Sequence, residues 1–441
     1  MSRAIGFLLC SALLVAPAMG QKRVTAKTSA GNAGKLIALR VKGSTRYTDQ
    51  DLLAACGLRL GQPAADGDFK EAVQRLGDSG MFAGAAYSFS SSGASTTLEL
   101  QLTDVGKDKL VPASFENFPW FTDTELRGEL QRMVPLFQGE VPLAGSLIDH
   151  IQEALQTLLD RKQIPARVDY LRETAEEGGK LLGISYSVEN LEIRIQNVEF
   201  PGATPDLLPG LQVAARRLAG APYRRTSMAK VAEVDFLPVC LKGGYLRASF
   251  ARADARLVSK AEAAPAGGEV EVTAILPLTP GKVYSTSGIE WRGNAAVATA
   301  DLAPLVHLPV GQPADALRLR KDLESATRLY RSRGYMAVQI KPDTLFDDGN
   351  SAVHLVVNVV EGDLYKMGEL EINGLDTQST ARMREAWTLR EGQSYNADYP
   401  AKFRNLAEQI LPRGVNWAVT VHESLDAKEK TVDVEVRFKQ Q

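Results

Sequence analysis

The sequence predicts an α+β protein, a tandem array of five β-α-α-β-β modules, each with a three-stranded mixed sheet and two helices on one face. A short phrase that begins with glycine recurs at intervals of 78, 81, 91 and 81 residues. Between the phrases, amphipathic helical stripes and alternating strands recur in one order, which indicates a repeated structural unit. The phrases are Gly61-Gln62-Pro63, Gly139-Glu140-Val141-Pro142, Gly220-Ala221-Pro222-Tyr223, Gly311-Gln312-Pro313 and Gly392-Gln393-Ser394-Tyr395.

The fourth module has the clearest pattern of the five. Residues 283–291 predict a first strand, and a short helix is expected around 298–306. The glycine phrase then stops that helix, and a second helix is predicted over 317–330. Its apolar positions recur at spacings of four, three and four, which is one stripe of an amphipathic helix. The stripe consists of Leu319, Leu323, Ala326 and Tyr330.

Two further strands complete that module. Gly334 follows the second helix and can adopt a positive φ, so the helix is expected to end there. Residues 335–340 predict the second strand, and Asp347-Asp348-Gly349-Asn350 predicts a tight turn. Residues 353–360 predict the third strand, which is apolar enough to be central.

The N-terminus is typical of an export signal. Arg3 provides a positive charge, Ile5 to Val15 an apolar run, and Ala18-Met19-Gly20 a cleavage site with small residues. The apolar run is shorter than the about 20 residues that span a bilayer. We therefore predict a signal peptide at 1–20 and a flexible leader at 21–34. The modules are predicted at 35–105, 106–190, 191–280, 281–362 and 363–441.

The composition argues against a nucleic-acid partner. The chain has 51 basic and 53 acidic residues and a pI near 6.2, so no excess positive charge is available to neutralise phosphates. Its 44% hydrophobic and 24% charged residues are ordinary for a folded soluble protein. Cys56 and Cys240 lie in different repeats, and we interpret them as buried free thiols.

One stretch in particular resembles POTRA domains, the polypeptide-transport-associated modules on the periplasmic side of outer-membrane β-barrel assembly and secretion factors. Residues 360–368, Val-Glu-Gly-Asp-Leu-Tyr-Lys-Met-Gly, followed by Leu370-Glu371-Ile372-Asn373-Gly374, look like a junction between two such modules. Similar fragments occur at 39–44 and 58–63. The resemblance covers about residues 35–441, and it is weakest in repeats two and three.

The resemblance implies a periplasmic array that associates with the outer membrane indirectly. Family members often carry a membrane barrel after the repeats, but Phe438 is followed by only three residues. Even eight spanning strands would need about 72 residues. We therefore expect a separate outer-membrane β-barrel, or its accessory proteins, as one partner. Unfolded outer-membrane or secreted polypeptides are the other expected partner.

The resemblance also implies where such polypeptides bind. In the family pattern the strand after the second helix lies at the sheet edge, and an extended peptide can add to an unpaired edge. The implied strands are 83–89, 166–170, 245–250, 335–340 and 415–421. The candidate binding residues are Ala85, Tyr87, Phe89, Val168, Tyr170, Tyr245, Arg247, Tyr335, Ala337 and Val419. For the aromatic residues among them, packing under a helix is the favoured alternative.

Catalytic, cofactor and metal sites are not expected. Gly34-Lys35 and Gly281-Lys282 are not followed by the Ser or Thr of a phosphate-binding loop. No nucleophile elbow or dinucleotide fingerprint occurs, and no two histidines have metal-ligand spacing. The four histidines are His150, His307, His354 and His422.

The leading hypothesis is a non-enzymatic scaffold or chaperone for outer-membrane protein assembly or secretion. The alternative is an envelope-organising structural protein that uses the modules to bind a septal or peptidoglycan-associated partner. An export signal retained as an anchor would favour the alternative.

Overall fold

The computed structural model describes residues 34–175, 179–258, 268–411 and 416–440. The predicted signal peptide and all but the last residue of the predicted leader lie outside the described residues. The chain divides into two compact units, one ending at Glu192 and the other beginning at Ile193, apart from Gly268 and Glu269, which belong to the first. Each unit is described by itself.

The first sheet of the first unit contains four strands. Their order is β2-β1-β4-β3, with β1 parallel to β4 and with β3 antiparallel to β4. The elements are β1 (Gly34–Lys42), α1 (Asp49–Cys56), β2 (Pro63–Ala64), α2 (Asp66–Asp78), β3 (Phe82–Ser92) and β4 (Ser95–Asp104).

The second sheet of this unit repeats that topology, with the order β6-β5-β8-β7. β5 is parallel to β8, and β7 is antiparallel to β8. The elements are β5 (Leu110–Phe115), α3 (Asp123–Met133), β6 (Glu140–Pro142), α4 (Leu147–Arg161), β7 (Arg167–Thr174) and β8 (Leu181–Glu189).

The next stretch is the least regular. A three-stranded sheet has the order β11-β12-β9, and among the described residues of this stretch β10 pairs with β13 alone. Five residues in π-helical conformation, Ala232–Phe236, connect α6 to α7. The elements are β9 (Glu192–Glu199), α5 (Leu208–Ala215), α6 (Arg225–Val231), α7 (Leu237–Lys242), β10 (Ser249–Phe250), β11 (Asp254–Leu257), β12 (Glu269–Ile275) and β13 (Leu278–Thr279).

Two three-stranded sheets complete the second unit, in the orders β14-β16-β15 and β17-β19-β18. The first is formed with β14 (Ser285–Arg292), α8 (Thr299–Leu302), α9 (Ala316–Ser332), β15 (Gln339–Asp347) and β16 (Ala352–Val360). The second is formed with β17 (Lys366–Asn373), α10 (Thr377–Ala386), α11 (Tyr399–Ile410), β18 (Trp417–Asp426) and β19 (Thr431–Gln440).

The predicted α+β class, with small mixed sheets and helices, is confirmed. The predicted helical stripe is also confirmed, because Leu319, Leu323, Ala326 and Tyr330 are all buried on α9. The start of α1 is fixed locally. Thr48 accepts a hydrogen bond from the N–H of Asp51, whose carboxylate accepts one from the N–H of Thr48, so the first turn of α1 has a capping box.

The recurrent glycine phrase lies along the first strand of each sheet. Gly61 has a φ of +86° and donates its N–H to the Leu36 oxygen at 2.7 Å. The Gln62 oxygen accepts from the Leu36 N–H at 2.9 Å. Equivalent pairs of bonds join Gly220 and Ala221 to Ile195, Gly311 and Gln312 to Thr286, and Gly392 and Gln393 to Met367. Where the pairing extends, the phrase becomes β2 or β6, so two sheets have four strands rather than the expected three.

Candidate functional site

The strand order leaves one margin of each regular sheet open. Among the described residues, β3, β7, β15 and β18 each pair with a strand on one side only, respectively β4, β8, β16 and β19. The opposite margin is the first strand, which the glycine phrase covers. We call these four the edge strands, and they are where an extended peptide could add through its backbone.

Ala85, Tyr87 and Phe89 lie in the edge strand β3. The rings of Tyr87 and Phe89 are 6.4 and 5.2 Å from the ring of Phe69 on α2. The Tyr87 hydroxyl donates to the Asp66 carboxylate at 2.8 Å. Burial and this hydrogen bond raise the pKa of Tyr87. These aromatic side chains therefore pack beneath the helix, and β3 presents its backbone outward.

The sequence of β3 lacks the usual protection of an edge. The strand is eleven residues long and contains no charged residue and no proline. Edge strands in native proteins are commonly protected by charges, prolines or bulges. β15 contains Lys341 and Pro342, and β18 contains Glu423. β3 has one bulge near its start, between Phe82 and Gly84, and is otherwise unprotected.

Val168 and Tyr170 lie in β7, and both side chains contact other residues of the first unit. Val168 is buried. The Tyr170 ring is 5.8 Å from that of Tyr186, and its hydroxyl donates to Asp149 of α4 at 3.0 Å. This hydrogen bond is the main reason that the pKa of Tyr170 is raised.

The backbone of β7 is also occupied. The Val168 N–H donates to Gln156 Oε1 at 3.0 Å, and the Val168 oxygen accepts from Gln152 Nε2 at 2.8 Å. Gln156 Nε2 donates to the Ala166 oxygen at 3.0 Å. Sequence reasoning missed both glutamines. The signal in the sequence was their spacing of four residues, beside the apolar positions of α4.

The strand assignment of Tyr245 and Arg247 is wrong. Both residues lie in a turn after α7, and the strand that follows, β10, begins only at Ser249. The Tyr245 hydroxyl donates to Asp206 at 2.9 Å, so this side chain is hydrogen-bonded to the segment between β9 and α5. The Arg247 guanidinium lies 4.1 Å from the centre of the Phe346 ring, 99 positions further along the chain.

The strand assignment of Tyr335 and Ala337 is wrong in the same way. They lie in a turn, and β15 begins at Gln339. The Tyr335 N–H donates to the Tyr330 oxygen and the Val338 N–H to the Tyr335 oxygen, so the chain turns once more before it enters the sheet. The Tyr335 ring packs edge-on against Tyr330, with ring centres 6.0 Å apart.

Val419 lies in β18 and is half-buried. The strand begins at Trp417, and Val415, where the prediction began, lies outside the described residues. A cleft of about 420 Å³ runs between this strand and α11, lined by Val419, Val421 and Arg404. A cleft of about 200 Å³ lies beside β15, lined by Leu319, Thr344 and Phe346.

Within the four described ranges, no group of three or more His, Cys, Asp or Glu could hold a metal ion. Cys56 and Cys240 are buried free thiols, and burial raises their pKa values to about 12 and about 11. No helix in the described part of the chain has the length and apolarity to cross a membrane.

Comparison with known proteins gives the following similarities. Residues 284–362 match the POTRA family, described as a surface antigen variable number repeat. The resemblance found in the sequence is therefore confirmed for this segment. Among solved structures, POTRA domains 3 to 5 of BamA from Haemophilus influenzae are similar, with 17% identity over 56% of this chain and 96% of that chain and a TM-score of 0.41.

Two other solved structures are similar to parts of the chain. The N-terminal domain of Omp85 from Thermosynechococcus elongatus has 16% identity over 57% of this chain and 98% of that chain, with a TM-score of 0.24. CdiB from Escherichia coli has 19% identity over 36% of this chain and 27% of that chain, with a TM-score of 0.20.

Proposed function

We propose that the chain is a non-enzymatic periplasmic scaffold or chaperone that assists outer-membrane protein assembly or secretion. It binds extended polypeptides by β-strand addition and docks to a separate outer-membrane barrel or its accessory proteins. The match of residues 284–362 to the POTRA family supports the class of function. The repeat pattern supports five such modules at 35–105, 106–190, 191–280, 281–362 and 363–441.

The observation that carries the proposal is the unprotected edge of β3. Along this eleven-residue strand, alternate residues direct their backbone donors and acceptors to a margin that carries no charge and no proline. Because Tyr87 and Phe89 pack on their own helix, recognition there relies on the main chain. Main-chain hydrogen bonds give affinity without demanding one sequence. Such binding suits a protein that receives many different unfolded clients.

The test is cross-linking of an unfolded client to defined positions of the full-length protein. A photoreactive residue replaces Ser88 on β3, or Gln74 on the exposed face of α2, and an outer-membrane porin diluted from urea is the probe. Both positions are exposed. We expect the porin to cross-link at position 88 and little at position 74.

Two double variants distinguish binding at the strand edge from non-specific binding. Lysines protect natural strand edges, so the double variant Ala86→Lys/Ser90→Lys in β3 should reduce cross-linking at position 88 severalfold. The control variant Gln101→Lys/Thr103→Lys puts the same charges on exposed positions of the central strand β4. Equal loss in both variants, or cross-links only on helical faces, would argue against strand addition.

A further inference from the structure

The edge of β7 differs from that of β3 because α4 supplies hydrogen bonds along it. Three backbone groups of Ala166 and Val168 bond to the side-chain amides of Gln152 and Gln156 at 2.8 to 3.0 Å. The next N–H along, that of Tyr170, donates to the Asp169 carboxylate at 2.8 Å. Four successive backbone groups at this margin are therefore satisfied by side chains.

These groups point away from the sheet, as the pairing with β8 shows. Val168 lies opposite Val188, and both backbone groups of Val188 bond to the Asn117 amide, on the far side of β8 from β7. In an antiparallel pair, residues opposite each other direct their backbone groups either both toward or both away from each other. Val168 therefore directs its N–H and C=O outward, to where an added strand would lie.

The Gln156 amide imitates one residue of such a strand. It accepts from the Val168 N–H and donates to the Ala166 oxygen, which are the two bonds that one residue of an added parallel strand would make. The Gln152 amide adds a bond to the Val168 oxygen. Gln156 Nε2 also donates to Asp160 at 2.9 Å, which holds the amide in place.

The other edge strands have no such cover. Within the described ranges, no side chain from outside the sheet forms a hydrogen bond to the backbone of β3, β15 or β18. We propose that Gln152 and Gln156 substitute for an added strand, so that β7 is closed to extended polypeptides and strand addition is directed to β3. The proposal rests on the proposed function and deepens it, because it assigns which edge receives a client.

The experiment compares two edges of the same full-length protein. A photoreactive residue replaces Leu171 on β7, which is 63% exposed, or Ser88 on β3. The probe is a synthetic peptide of alternating threonine and valine, about ten residues long to match a typical strand. A second peptide with proline at every third residue cannot form a continuous ladder and serves as the probe control.

We expect the wild-type protein to cross-link the peptide at position 88 and not at position 171. The variant Gln152→Ala/Gln156→Ala should raise cross-linking at position 171 by about fivefold. It frees the Ala166 oxygen and the Val168 N–H and oxygen, which can then form hydrogen bonds to an added strand. Gln156→Glu keeps the acceptor for Val168 but loses the donor to Ala166, so it should give a smaller rise. Gln74→Ala/Gln131→Ala, which changes two exposed glutamines of α2 and α3, should have no effect.

Amide hydrogen exchange provides a readout that does not depend on a client. The Val168 N–H should exchange faster in Gln156→Ala, whereas the N–H groups of β8 should keep their protection and so show that the sheet is folded. Unchanged exchange at Val168, or cross-linking of wild-type protein at position 171 equal to that at position 88, would overturn the inference and leave the proposed function standing. Absence of cross-links at position 88 in every variant would instead overturn the proposed function and the inference with it.

Discussion

Arg247 Nη1 lies 2.9 Å from Asp348 Oδ1, so the turn after α7 is joined to the hairpin between β15 and β16. The same guanidinium lies over the rings of Phe346 and Tyr284, at 4.1 and 5.6 Å from their centres. The Tyr284 hydroxyl donates to Asp348 at 2.6 Å. Arg247, predicted as a client-binding residue, therefore connects two neighbouring parts of the second unit.

Arg247→Ala should loosen this connection. Exposed ion pairs contribute about 0.2–1 kcal/mol and exposed cation–π contacts about 0.5–1 kcal/mol, so we expect a loss of about 1 kcal/mol. Hydrogen exchange of the 345–351 hairpin should become faster by a corresponding factor. Arg328→Ala, on the exposed face of α9, is the matched control. Equal exchange in the two variants would mean that the Arg247–Asp348 ion pair does not stabilise the hairpin.

The stabilising effect of Arg247 should depend on pH. Hydrogen bonds from Tyr284 and Arg247 hold the pKa of Asp348 below its ordinary value. A carboxyl whose pKa is lowered on folding contributes stability above its unfolded pKa, about 3.9, and loses it as the pH falls through the folded pKa. The difference in exchange between wild-type protein and Arg247→Ala should thus narrow below about pH 4. A difference that is constant from pH 7 to pH 3 would contradict this.

Gly334→Ala should be more disruptive than Gly392→Ala, although both glycines have positive φ, +97° and +80°. A Cβ at Gly334 would lie 2.9 Å from the Tyr365 oxygen and 2.8 Å from Leu364 Cδ1, whereas nothing lies within 4 Å of one at Gly392. Both variants suffer the backbone strain of about 1 kcal/mol, and Gly334→Ala adds a steric clash. Urea denaturation followed by Trp fluorescence should show the lower midpoint for Gly334→Ala. Equal midpoints would show that the close approach relaxes without cost.

Asn117→Ala should destabilise the first unit. The Asn117 amide donates to the Val188 oxygen at 3.0 Å and accepts from its N–H at 2.7 Å, in a buried position. Its removal leaves two buried backbone groups unpaired, which costs about 1–3 kcal/mol each. Asn117→Asp keeps only the acceptor and should be intermediate at best. Thermal denaturation checks the ranking, with Gln131→Ala as the exposed control, and a neutral Asn117→Ala would contradict it.

Cys56 and Cys240 should resist alkylation in the folded protein. Burial raises their pKa values to about 12 and about 11, and the thiolate is the reactive form. Iodoacetamide at pH 8 should label both only after unfolding in urea, as measured by peptide mass spectrometry. Rapid labelling of either thiol in the folded protein would indicate local opening around it.

The sequence predicted the class of fold because local periodicity carries that information. The stripe of α9, the tight turn at 347–350 and the alternating strands all follow from the spacing and type of residues along the chain. It also revealed the five glycine phrases. Their role, covering the first strand of each sheet, depended on hydrogen bonds such as that from Gly311 to Thr286, which are not visible in a linear pattern.

The candidate site was predicted less well, for a related reason. Tyr245 and Tyr335 each follow a helix-ending glycine and precede another apolar residue, Leu246 or Met336, which is also how a strand can begin, yet an extra turn precedes the sheet in both places. That turn is set by backbone bonds such as that of Tyr335 to Tyr330.

By itself, the sequence determined the class of fold and the recurrence of its helices and strands, because those properties depend on neighbours a few residues away. Only the tertiary structure decided which sheet margins are open. The closure of β7 requires Gln152 and Gln156 of one helix to meet the backbone of a strand ten or more residues later, at hydrogen-bonding distance. Such contacts depend on how the helix and the strand pack against each other, and no local spacing of residues encodes them.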